Sequence, residues 1–363
     1  MKLFEIIDIG KEREIRFFNK PICEYGCRHF TFSEKTAYEK YFEIFPSKGV
    51  REEFFDGILS QLNEGYDDIY IYRMITLGDL YILSFMFENW VKKNNSKKPV
   101  LVVLNDNAKK VFNLFSPNIE CKKIDFNKRL AMEIFYQDVE NKGVSYKNRR
   151  FFSYINKQII LDVHNRVKDN INKSIEDCSF VKNLSKYYAE FYRKSITCNI
   201  SEQSKNELLA DLELSGLNLG KFIFISPEAS SNCSYDITFW IEICNRLRDK
   251  GYDIFINSSS DKMKIPGCVC GLYDIEQTYY LAQMSKGIIS LRSGLNDVLS
   301  TINVPQHILY TRFKCNIVSS ASENILAFSL KYLPNVNPEN ISEYDADELT
   351  KDEIIDKVLR EFE

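Results

Sequence analysis

Short apolar runs alternate with amphipathic segments between residues 221 and 311, and this alternation constrains the fold more than any other feature of the chain. The runs are KFIFIS (221–226), YDIFIN (252–257), GIISL (287–291) and HILYT (307–311). Residues 237–249 place Phe239, Trp240 and Ile243 on one helical face. Further helices are predicted at 274–284 and 295–302, and a short strand at the CVC segment 268–270. Strands that alternate with helices of this length predict a parallel sheet covered on both faces.

A similar series precedes this one. Residues 67–74 and 100–104 read as strands, a helix is predicted at 79–92, and Val111, Phe112 and Leu114 share one face of another helix. A length of 363 residues, with 44% hydrophobic and 27% charged residues, suits two globular domains. We therefore predict two Rossmann-like, doubly wound parallel-sheet domains.

The predicted domain boundaries follow these patterns. Amphipathic segments at 38–45 and 52–62 predict a helical extension that packs on the first lobe, and the terminal residues predict a further amphipathic helix. The predicted units are an extension at 1–66, a first Rossmann-like domain at 67–205, a second at 206–335, and a C-terminal helix at 336–363.

Charge and cysteine usage limit the functional class. The formal net charge of −3 and pI near 5.9 give no overall attraction for nucleic acid. The ten cysteines are scattered, which favours reduced thiols in a cytoplasmic protein without disulfides. No secretory signal or membrane-spanning run is visible, so any membrane contact is expected to be peripheral. Cys23, Cys27 and His29 lack a fourth ligand at zinc-finger spacing, and we read them as a turn with reduced cysteines.

The stretch SLRSGLNDVLS at 290–300 carries the clearest binding signal. A strand ends at a Gly and a helix begins at once, which leaves backbone N–H groups bare at the helix start beside Ser293 and Gly294. Arg292 adds a guanidinium at the mouth of the turn. The pattern predicts a phosphate site, and a tight turn capped by Ser293 is the alternative.

TLGDLYIL at 76–83 follows the first strand of the earlier series. Gly78 occupies the turn and Asp79 the helix start. Taken alone, Asp79 reads as a residue that favours helix initiation through capping and the helix dipole.

These motifs resemble those of GT-B glycosyltransferases, in particular the heptosyltransferase family, glycosyltransferase family 9. That family has a Gly-Asp pair after its first strand, a His-Pro-Gly-Ala-Ser segment and an Asp-Thr-Gly-x-x-His loop. The corresponding segments here are residues 78–79, SPEASSN at 226–232 and RSGLND at 292–297. The chain departs from the pattern with Glu228 in place of Gly, Arg292 in place of Asp, and Asp297 in place of His.

The resemblance implies a role for each matching residue. Asp79 would be the catalytic base that accepts the proton of an acceptor hydroxyl. Backbone amides would neutralise the leaving nucleoside diphosphate, with Arg292 supplying the charge of a family Lys that has no obvious counterpart here. The residues expected to bind the donor are Ser230, Ser231, Asn257, Asp274, Arg292, Ser293, Gly294, Leu295 and Asn296. An ordinary helix cap is an equally good reading of Asp274.

A basic, aromatic stretch covers residues 142–173 and includes Arg149 and Arg150. The ordinary interpretation is a solvated face. The alternative is an acceptor-binding surface in which these arginines meet a phosphorylated glycan or anionic lipid headgroups. Asp345 and Asp347 form an Asp-x-Asp pair, which we read as the beginning of the terminal helix and not as a metal site.

The resemblance thus predicts a GT-B enzyme whose two lobes face each other across a cleft. Its expected activity is inverting, metal-independent transfer of a hexosyl or heptosyl unit from a nucleoside-diphosphate sugar. The expected acceptor is a bacterial surface glycan of the lipopolysaccharide or capsule type. No cofactor is expected, and the expected location is the cytoplasm, with peripheral contact at the inner face of the membrane. The alternatives are a catalytically inactive glycan-binding or scaffold subunit and a nucleotide-sugar epimerase of the same fold.

Overall fold

The structure is a computed structural model that describes residues 4–9, 12–17, 20–25, 48–62, 65–72, 77–93, 95–116, 118–125, 144–153, 183, 198–314, 320–333 and 335–362. Some predicted features lie outside the described part of the chain: the helix at 38–45, Cys27 and His29 of the predicted cysteine turn, and most of the basic stretch at 142–173. Cys23 lies within the described residues 20–25.

The N-terminal extension contains an antiparallel three-stranded sheet followed by a helix. The strands are β1 (Phe4–Ile9), β2 (Glu12–Phe17) and β3 (Lys20–Tyr25), and the helix is α1 (Lys48–Gln61). α1 confirms the helix predicted at 52–62. The three strands at 4–25 were not predicted, because the extension was expected to be helical throughout. In β1 and β2 charged residues interrupt runs of Ile and Phe, a composition that favours strands.

The first α/β unit has a five-stranded sheet in the order β6, β5, β4, β8, β7. Its strands are β4 (Asp68–Ile71), β5 (Pro99–Val103), β6 (Glu120–Lys123), β7 (Val144–Tyr146) and β8 (Arg149–Ser153). All are parallel except the edge strand β7, which joins β8 through a hairpin with positive φ at Lys147 and Asn148. α2 (Leu77–Lys93) follows β4, and α3 (Asp106–Phe115) follows β5. The predicted strand–helix series is confirmed here.

The second α/β unit has a six-stranded, fully parallel sheet in the order β11, β10, β9, β12, β13, β14. Its strands are β9 (Phe222–Ser226), β10 (Asp253–Asn257), β11 (Val269–Gly271), β12 (Ile288–Leu291), β13 (Gln306–Tyr310) and β14 (Ile341–Asp345). Its helices are α4 (Glu202–Ser215), α5 (Ile237–Asp249), α6 (Ile275–Met284), α7 (Gly294–Leu299), α8 (Ala321–Phe328) and α9 (Lys351–Leu359). The strand order reverses between β9 and β12, and doubly wound sheets open their ligand crevice at the carboxyl ends of such a pair.

β14 differs from the prediction that only a helix follows residue 335. It pairs with β13 along its length, from Gln306 opposite Ile341 to Tyr310 opposite Asp345. The sequence ISEYD has no continuous apolar run, so its strand character is not visible in the sequence. The second sheet therefore extends beyond the boundary predicted at 335, and the other boundaries stay predictions.

Side-chain caps fix where the helices begin. Asn105 Oδ1 accepts a hydrogen bond from the Ala108 backbone N–H at 2.7 Å at the start of α3. Asp236 does the same for Thr238 N–H at 2.9 Å before α5. At the end of α4, Gly216 adopts a left-handed conformation with φ of 72°.

The two α/β units share one buried core cluster. It contains side chains from α2 and α3 of the first unit and from α6, α7 and β12 of the second. The rings of Phe115 and Tyr279 meet edge to face with centroids 6.0 Å apart, and Ser300 Oγ lies 3.2 Å from the buried Tyr81 hydroxyl. The opposite face of the second sheet packs against α5 and α9 in a separate cluster that includes Trp240 and Ile354.

One histidine is buried within the second unit. His307 on β13 is fully buried, and its Nδ1 lies 2.8 Å from the Tyr344 hydroxyl. Nε2 lies 3.3 Å from a carboxylate oxygen of the partly exposed Glu361 without hydrogen-bond geometry. Because burial penalises the charged imidazolium, the pKa of His307 is lowered to about 4.

Candidate functional site

The turn between β12 and α7 is held by its own side chains. Ser293 has an extended backbone, and its N–H donates to Asn296 Oδ1 at 2.7 Å. The fully buried Asn296 in turn donates its amide N–H to the Ser290 hydroxyl. Asn296 therefore shapes the turn from inside and does not face solvent.

The amides of the next two residues are available. No hydrogen-bond acceptor for the backbone N–H of Gly294 or Leu295 is found among the described residues, and both residues are only partly buried. They lie at the carboxyl end of β12, beside the point where the strand order reverses. Unpaired N–H groups at this position are the arrangement that binds phosphate oxygens in α/β proteins.

Arg292 and Asp297 form a buried ion pair behind the turn. Nη2 and Nη1 of Arg292 lie 2.6 Å and 3.0 Å from the two oxygens of Asp297, and the side chains are 9% and 7% exposed. Nε donates to the Phe328 carbonyl at 3.2 Å, and Nη1 also donates to the Ser293 carbonyl. Burial raises the pKa of Asp297, and the charge and hydrogen bonds of Arg292 act in the opposite direction.

This pair changes the interpretation of Arg292. Its guanidinium is surrounded by internal acceptors, so in this arrangement its charge is neutralised by Asp297. That placement differs from a guanidinium standing open at the mouth of the turn. The donor-binding role of Arg292 stays a prediction, and its contacts give it a structural role.

The beginning of α2 touches this turn directly. A Cβ atom added to Gly78 would lie 2.3 Å from Asp297 Oδ2 and 3.5 Å from Gly294 Cα. Only a glycine fits at this point without displacing the carboxylate. The gap expected between the first lobe and the turn is therefore closed at Gly78.

Asp79 is the third residue of α2, next to this contact. Its backbone belongs to the helix, and its side chain lies outside the described part of the structure. The role predicted for it as a catalytic base stays a prediction. What the fold establishes is that its helix start adjoins the turn at Gly294.

The loop after β9 reaches toward the end of β10. Glu228, which replaces a family glycine, is exposed and accepts a hydrogen bond from the hydroxyl of the buried Ser258. Asn257 immediately precedes Ser258 and is 8% exposed. No partner for its Oδ1 is found among the described residues. A buried acceptor without a partner is costly, so Asn257 marks a place where a ligand group can donate a hydrogen bond.

Ser230 and Ser231 lie beside a lysine that the sequence patterns do not single out. The exposed Lys314 donates from Nζ to the carbonyls of Ala229 and Ser230 at 3.2 Å and 3.0 Å. Its backbone N–H donates to the Ser231 carbonyl at 2.8 Å. Lys314 follows β13, more than 80 residues along the chain, and an antiparallel bridge between Asn232 and Phe313 brings it to the loop.

A buried amide network ties these loops together. The side chain of Asn232 donates to the Arg292 carbonyl and accepts from Asn324 Nδ2 at 2.7 Å. Asn324 also donates to the Thr311 carbonyl at 2.8 Å. The loops that follow β9, β12 and β13 are thereby held in fixed relation. None of these amides stands out in the sequence, because a buried Asn cannot be told from a surface Asn by its neighbours.

Asp274 is engaged as a helix cap, which is one of its two predicted roles. Its Oδ1 accepts from the N–H groups of Glu276 and Gln277 at 2.9 Å and 3.0 Å. Its other oxygen lies 2.5 Å from Lys110 Nζ on α3, which forms an ion pair between the two units. Both oxygens are therefore engaged, and contact of Asp274 with a donor stays a prediction.

Arg149 and Arg150 are engaged within the first unit. Arg150 donates from Nε and Nη2 to the two oxygens of the buried Asp68, at 2.6 Å and 2.5 Å. Arg149 donates to the Tyr66 carbonyl. These contacts join the amino ends of the neighbouring strands β4 and β8, and the predicted acceptor-binding role of the two arginines stays a prediction.

Two further features bear on metal and membrane binding. Among the described residues, no group of three or more His, Cys, Asp or Glu side chains is placed to hold a metal ion. Asp345 is the last residue of β14 and accepts from the N–H groups of Asp347 and Glu348. The prediction that the Asp-x-Asp pair begins the terminal helix is therefore wrong, because α9 begins at Lys351 after its cap Thr350. Within the same residues, no helix combines the length and apolar character required to span a bilayer.

No protein-family model and no curated protein matches the sequence. Several solved structures are similar in fold. The Escherichia coli ADP-heptose lipopolysaccharide heptosyltransferase II is 12% identical, with 81% of this chain and 98% of that chain covered and a TM-score of 0.47. A family 9 glycosyltransferase from Veillonella parvula is 12% identical, with 78% and 87% covered and a TM-score of 0.48. The E. coli heptosyltransferase WaaC with ADP is 10% identical, with 81% and 99% covered and a TM-score of 0.46.

Proposed function

We propose that the protein is a GT-B glycosyltransferase that transfers a sugar from a nucleoside-diphosphate donor. The observation that carries the proposal is the pair of amides of Gly294 and Leu295, unpartnered among the described residues, at the switch point of the second sheet. The start of α2, with Asp79 as its third residue, adjoins them. Donor-binding amides and a candidate base from the other unit are what sugar transfer between two lobes requires.

The donor chemistry follows from the loops at the carboxyl ends of the strands. The amides of Gly294 and Leu295 bind diphosphate oxygens and stabilise the charge that develops on the leaving group. Ser230 and Ser231 add hydroxyl donors, and Lys314 adds a positive charge beside them. Asn257 accepts a hydrogen bond from a hydroxyl or amino group of the donor through its Oδ1, which has no partner among the described residues.

In the proposed transfer step one proton moves, one glycosidic bond forms and the bond to the diphosphate breaks. The carboxylate of Asp79 takes the proton of an acceptor hydroxyl while that oxygen attacks the anomeric carbon, and the bond to the diphosphate breaks. Attack from the face opposite the leaving group inverts the configuration. The proposed reaction uses no metal, and the proposed acceptor is a bacterial surface glycan met at the cytoplasmic side of the membrane.

A second candidate is a catalytically inactive glycan-binding or scaffold subunit. The observation that favours it is the Arg292–Asp297 pair, which is neutralised internally and in contact with Gly78. In this arrangement a carboxylate and a helix start fill the space beside the turn. A binding subunit needs no catalytic base, so the two candidates differ in what Asp79 does.

Calorimetric titration with UDP, ADP, GDP and TDP tests the donor site. The enzyme proposal expects one of the four to bind with clear preference. Substituting Asn257 by Ala should weaken that binding, because Asn257 supplies a buried acceptor. If none of the four nucleotides binds, the proposed assignment of the donor site is refuted.

Transfer of labelled sugar from the bound donor to a glycolipid extract then tests the role of Asp79. Asp79→Asn should lower the rate about 100-fold or more and leave nucleotide affinity unchanged, because a general base contributes at least that much. Asp106→Asn is the matched control, since Asp106 is an exposed acid at the start of the neighbouring α3. Undiminished transfer by Asp79→Asn contradicts the enzyme mechanism. Isomerisation of the free donor without acceptor indicates an epimerase.

A further inference from the structure

A polar hollow opens at the carboxyl ends of β13 and the edge strand β14. Residues 233–235, 311–312 and 346–347 line it, and its volume is about 320 Å³. We call it the Arg312 hollow. Small-molecule sites have volumes of about 300–1,000 Å³, so this hollow suits a ligand the size of a single sugar and not a nucleotide sugar. The amides of Gly294 and Leu295 follow β12, so the hollow is not the site proposed for the donor.

Hydrogen bonds between the lining segments fix the walls of the Arg312 hollow. The Cys233 N–H donates to the Arg312 carbonyl at 2.9 Å, and the Thr311 hydroxyl donates to the Cys233 carbonyl at 2.7 Å. On the other side, the Ala346 N–H donates to the Tyr310 carbonyl at 3.0 Å. The loop after β9 and the ends of both strands are thus tied together, so the hollow is formed before a ligand binds.

The hollow offers a guanidinium group and two hydroxyl groups to a ligand. Arg312 and Ser234 are exposed, and Tyr235 is partly buried. No partner for these three polar groups is found among the described residues. Burial raises the pKa of Tyr235, so its hydroxyl stays protonated and can donate a hydrogen bond. A guanidinium donates two parallel hydrogen bonds to an oxyanion, so the hollow suits an anionic ligand.

Acidic residues at the hollow limit the charge of that anion. Asp347 lines the hollow with an exposed carboxylate, and its Oδ2 accepts from the Ala321 N–H at 2.9 Å. Its Oδ1 has no donor within the described part of the chain. The carboxylates of Asp345 and Glu348 lie close by in the sequence. These negative charges would repel a dianionic phosphate more strongly than a singly charged carboxylate.

The lysines closest to these segments are engaged elsewhere. Lys314 does not line the hollow, and its Nζ donates to the carbonyls of Ala229 and Ser230 at 3.2 Å and 3.0 Å. Lys351 forms an ion pair with Asp236. Arg312 therefore supplies the positive charge of the hollow, and Asp347 balances it.

We propose that the Arg312 hollow is a second binding site, which takes a monosaccharide acid of the uronic acid type. The sugar carboxylate accepts paired hydrogen bonds from Arg312. The sugar hydroxyls accept from Ser234 and Tyr235 and donate to the free Oδ1 of Asp347. Nothing in this assignment depends on the proposed sugar transfer.

Binding of small sugars to the full-length protein tests the assignment, with dissociation constants measured by ligand-observed NMR titration. The probes are sodium glucuronate, glucose, sodium acetate and glucose 6-phosphate, each without nucleotide. Glucuronate should bind about 10-fold or more tighter than glucose, which lacks the carboxylate, because a hydrogen bond to a charged group contributes that much. Acetate lacks the hydroxyls and should also bind more weakly. Glucose 6-phosphate should bind more weakly than glucuronate, because its charge is larger.

Three variants assign the binding to the hollow. Arg312→Gln should weaken glucuronate binding about 10-fold or more, because the paired hydrogen bonds to the carboxylate are lost. Tyr235→Phe keeps the ring and should weaken binding several-fold. Arg360→Gln is the matched control, since Arg360 is an exposed arginine just after α9 with no ion pair among the described residues. It should leave the affinity unchanged.

Three results would overturn the proposal. The first is glucose that binds as tightly as glucuronate. The second is Arg312→Gln with the affinity of the natural protein, or a loss in Arg360→Gln as large as that in Arg312→Gln. The third is glucose 6-phosphate that binds as tightly as glucuronate or more tightly, which would assign the site to phosphate esters. Since these titrations contain no nucleotide, their failure leaves the proposed donor site untouched, and failure of the nucleotide titrations leaves the Arg312 hollow untouched.

Discussion

Substituting Gly78 by Ala tests the contact between the two units. In most helices this change stabilises the protein, because Ala exceeds Gly in helix propensity by about 1 kcal/mol. Here the new methyl group would lie 2.3 Å from Asp297 Oδ2, and that carboxylate is held at 2.6 Å and 3.0 Å by Arg292. The carboxylate must move, and breaking a buried ion pair costs about 3–5 kcal/mol. The expected net loss in the free energy of unfolding is therefore about 2–4 kcal/mol, from the difference between these two effects.

Gly57→Ala is the control for this experiment. Gly57 lies inside α1, and nothing is found within 4 Å of a Cβ added there. The same substitution should stabilise that helix by about 0.5–1 kcal/mol. The two variants are compared by urea unfolding followed by tryptophan fluorescence and by calorimetric melting. Both methods are needed, because a chain with two units can unfold in more than one step.

A double-mutant cycle that combines Gly78→Ala with Asp297→Ala completes the test. Once the carboxylate is gone, the methyl group added at position 78 has room, so the cost of Gly78→Ala should disappear and leave a gain of about 1 kcal/mol from helix propensity. Two results would refute the reasoning. One is a gain in stability from Gly78→Ala equal to that from Gly57→Ala, and the other is a cost that persists without Asp297.

Two further predictions concern buried titratable groups. Asp297→Ala should lower the free energy of unfolding by about 3–5 kcal/mol, because it leaves Arg292 buried and unpaired. The double variant Arg292→Met with Asp297→Leu should recover most of this loss when both are measured by urea unfolding. A double variant that recovers nothing would argue against the ion pair. His307 has a pKa of about 4 when folded and 6.5 as its ordinary value, so the unfolded state takes up the proton first as pH falls. The free energy of unfolding should therefore drop by about 2 kcal/mol between pH 7 and pH 5. Urea unfolding of His307→Gln at both pH values should show no such drop. An equal drop in the variant would contradict the role of His307.

Much of the fold could be predicted, because both sheets are buried on their two faces. Such strands are short continuous apolar runs, and FIFIS and DIFIN are recognised without knowledge of their partners. The helix predicted at 237–249 has the same limits as α5, since its apolar face is regular and Asp236 and Gly251 mark its ends. Strands that lack such runs escape this reasoning, namely those at 4–25, β6, β7, β8 and β14.

The candidate site could be predicted only where a local pattern defines it. The turn at Ser293 and Gly294 follows from a strand, small residues and a helix in immediate succession. The partners of its neighbours come from distant parts of the chain. Lys314 reaches Ser230 through a strand bridge, and Lys110 reaches Asp274 from the other unit. Periodicity within one segment carries no information about such contacts.

The charge of Arg292 shows a second limit of sequence reasoning. An arginine beside a Gly turn is a reasonable phosphate ligand, and five residues later the chain supplies Asp297. Whether the two charges pair depends on the direction in which both side chains leave the turn. In the structure both point inward. Residue types alone could not distinguish a ligand from a buried pair.

The position of β14 has a consequence for how the chain matures. The second sheet takes its sixth strand from residues 341–345, and α9 then adds Ile354, Ile355 and Val358 to the core beneath α5. During translation, the side of β13 that pairs with β14 stays without a neighbouring strand until these residues have left the ribosomal tunnel. We therefore expect the second unit to reach its native state only after residues 341–359 have emerged, and nascent chains stalled before Ile341 to be substrates for chaperones.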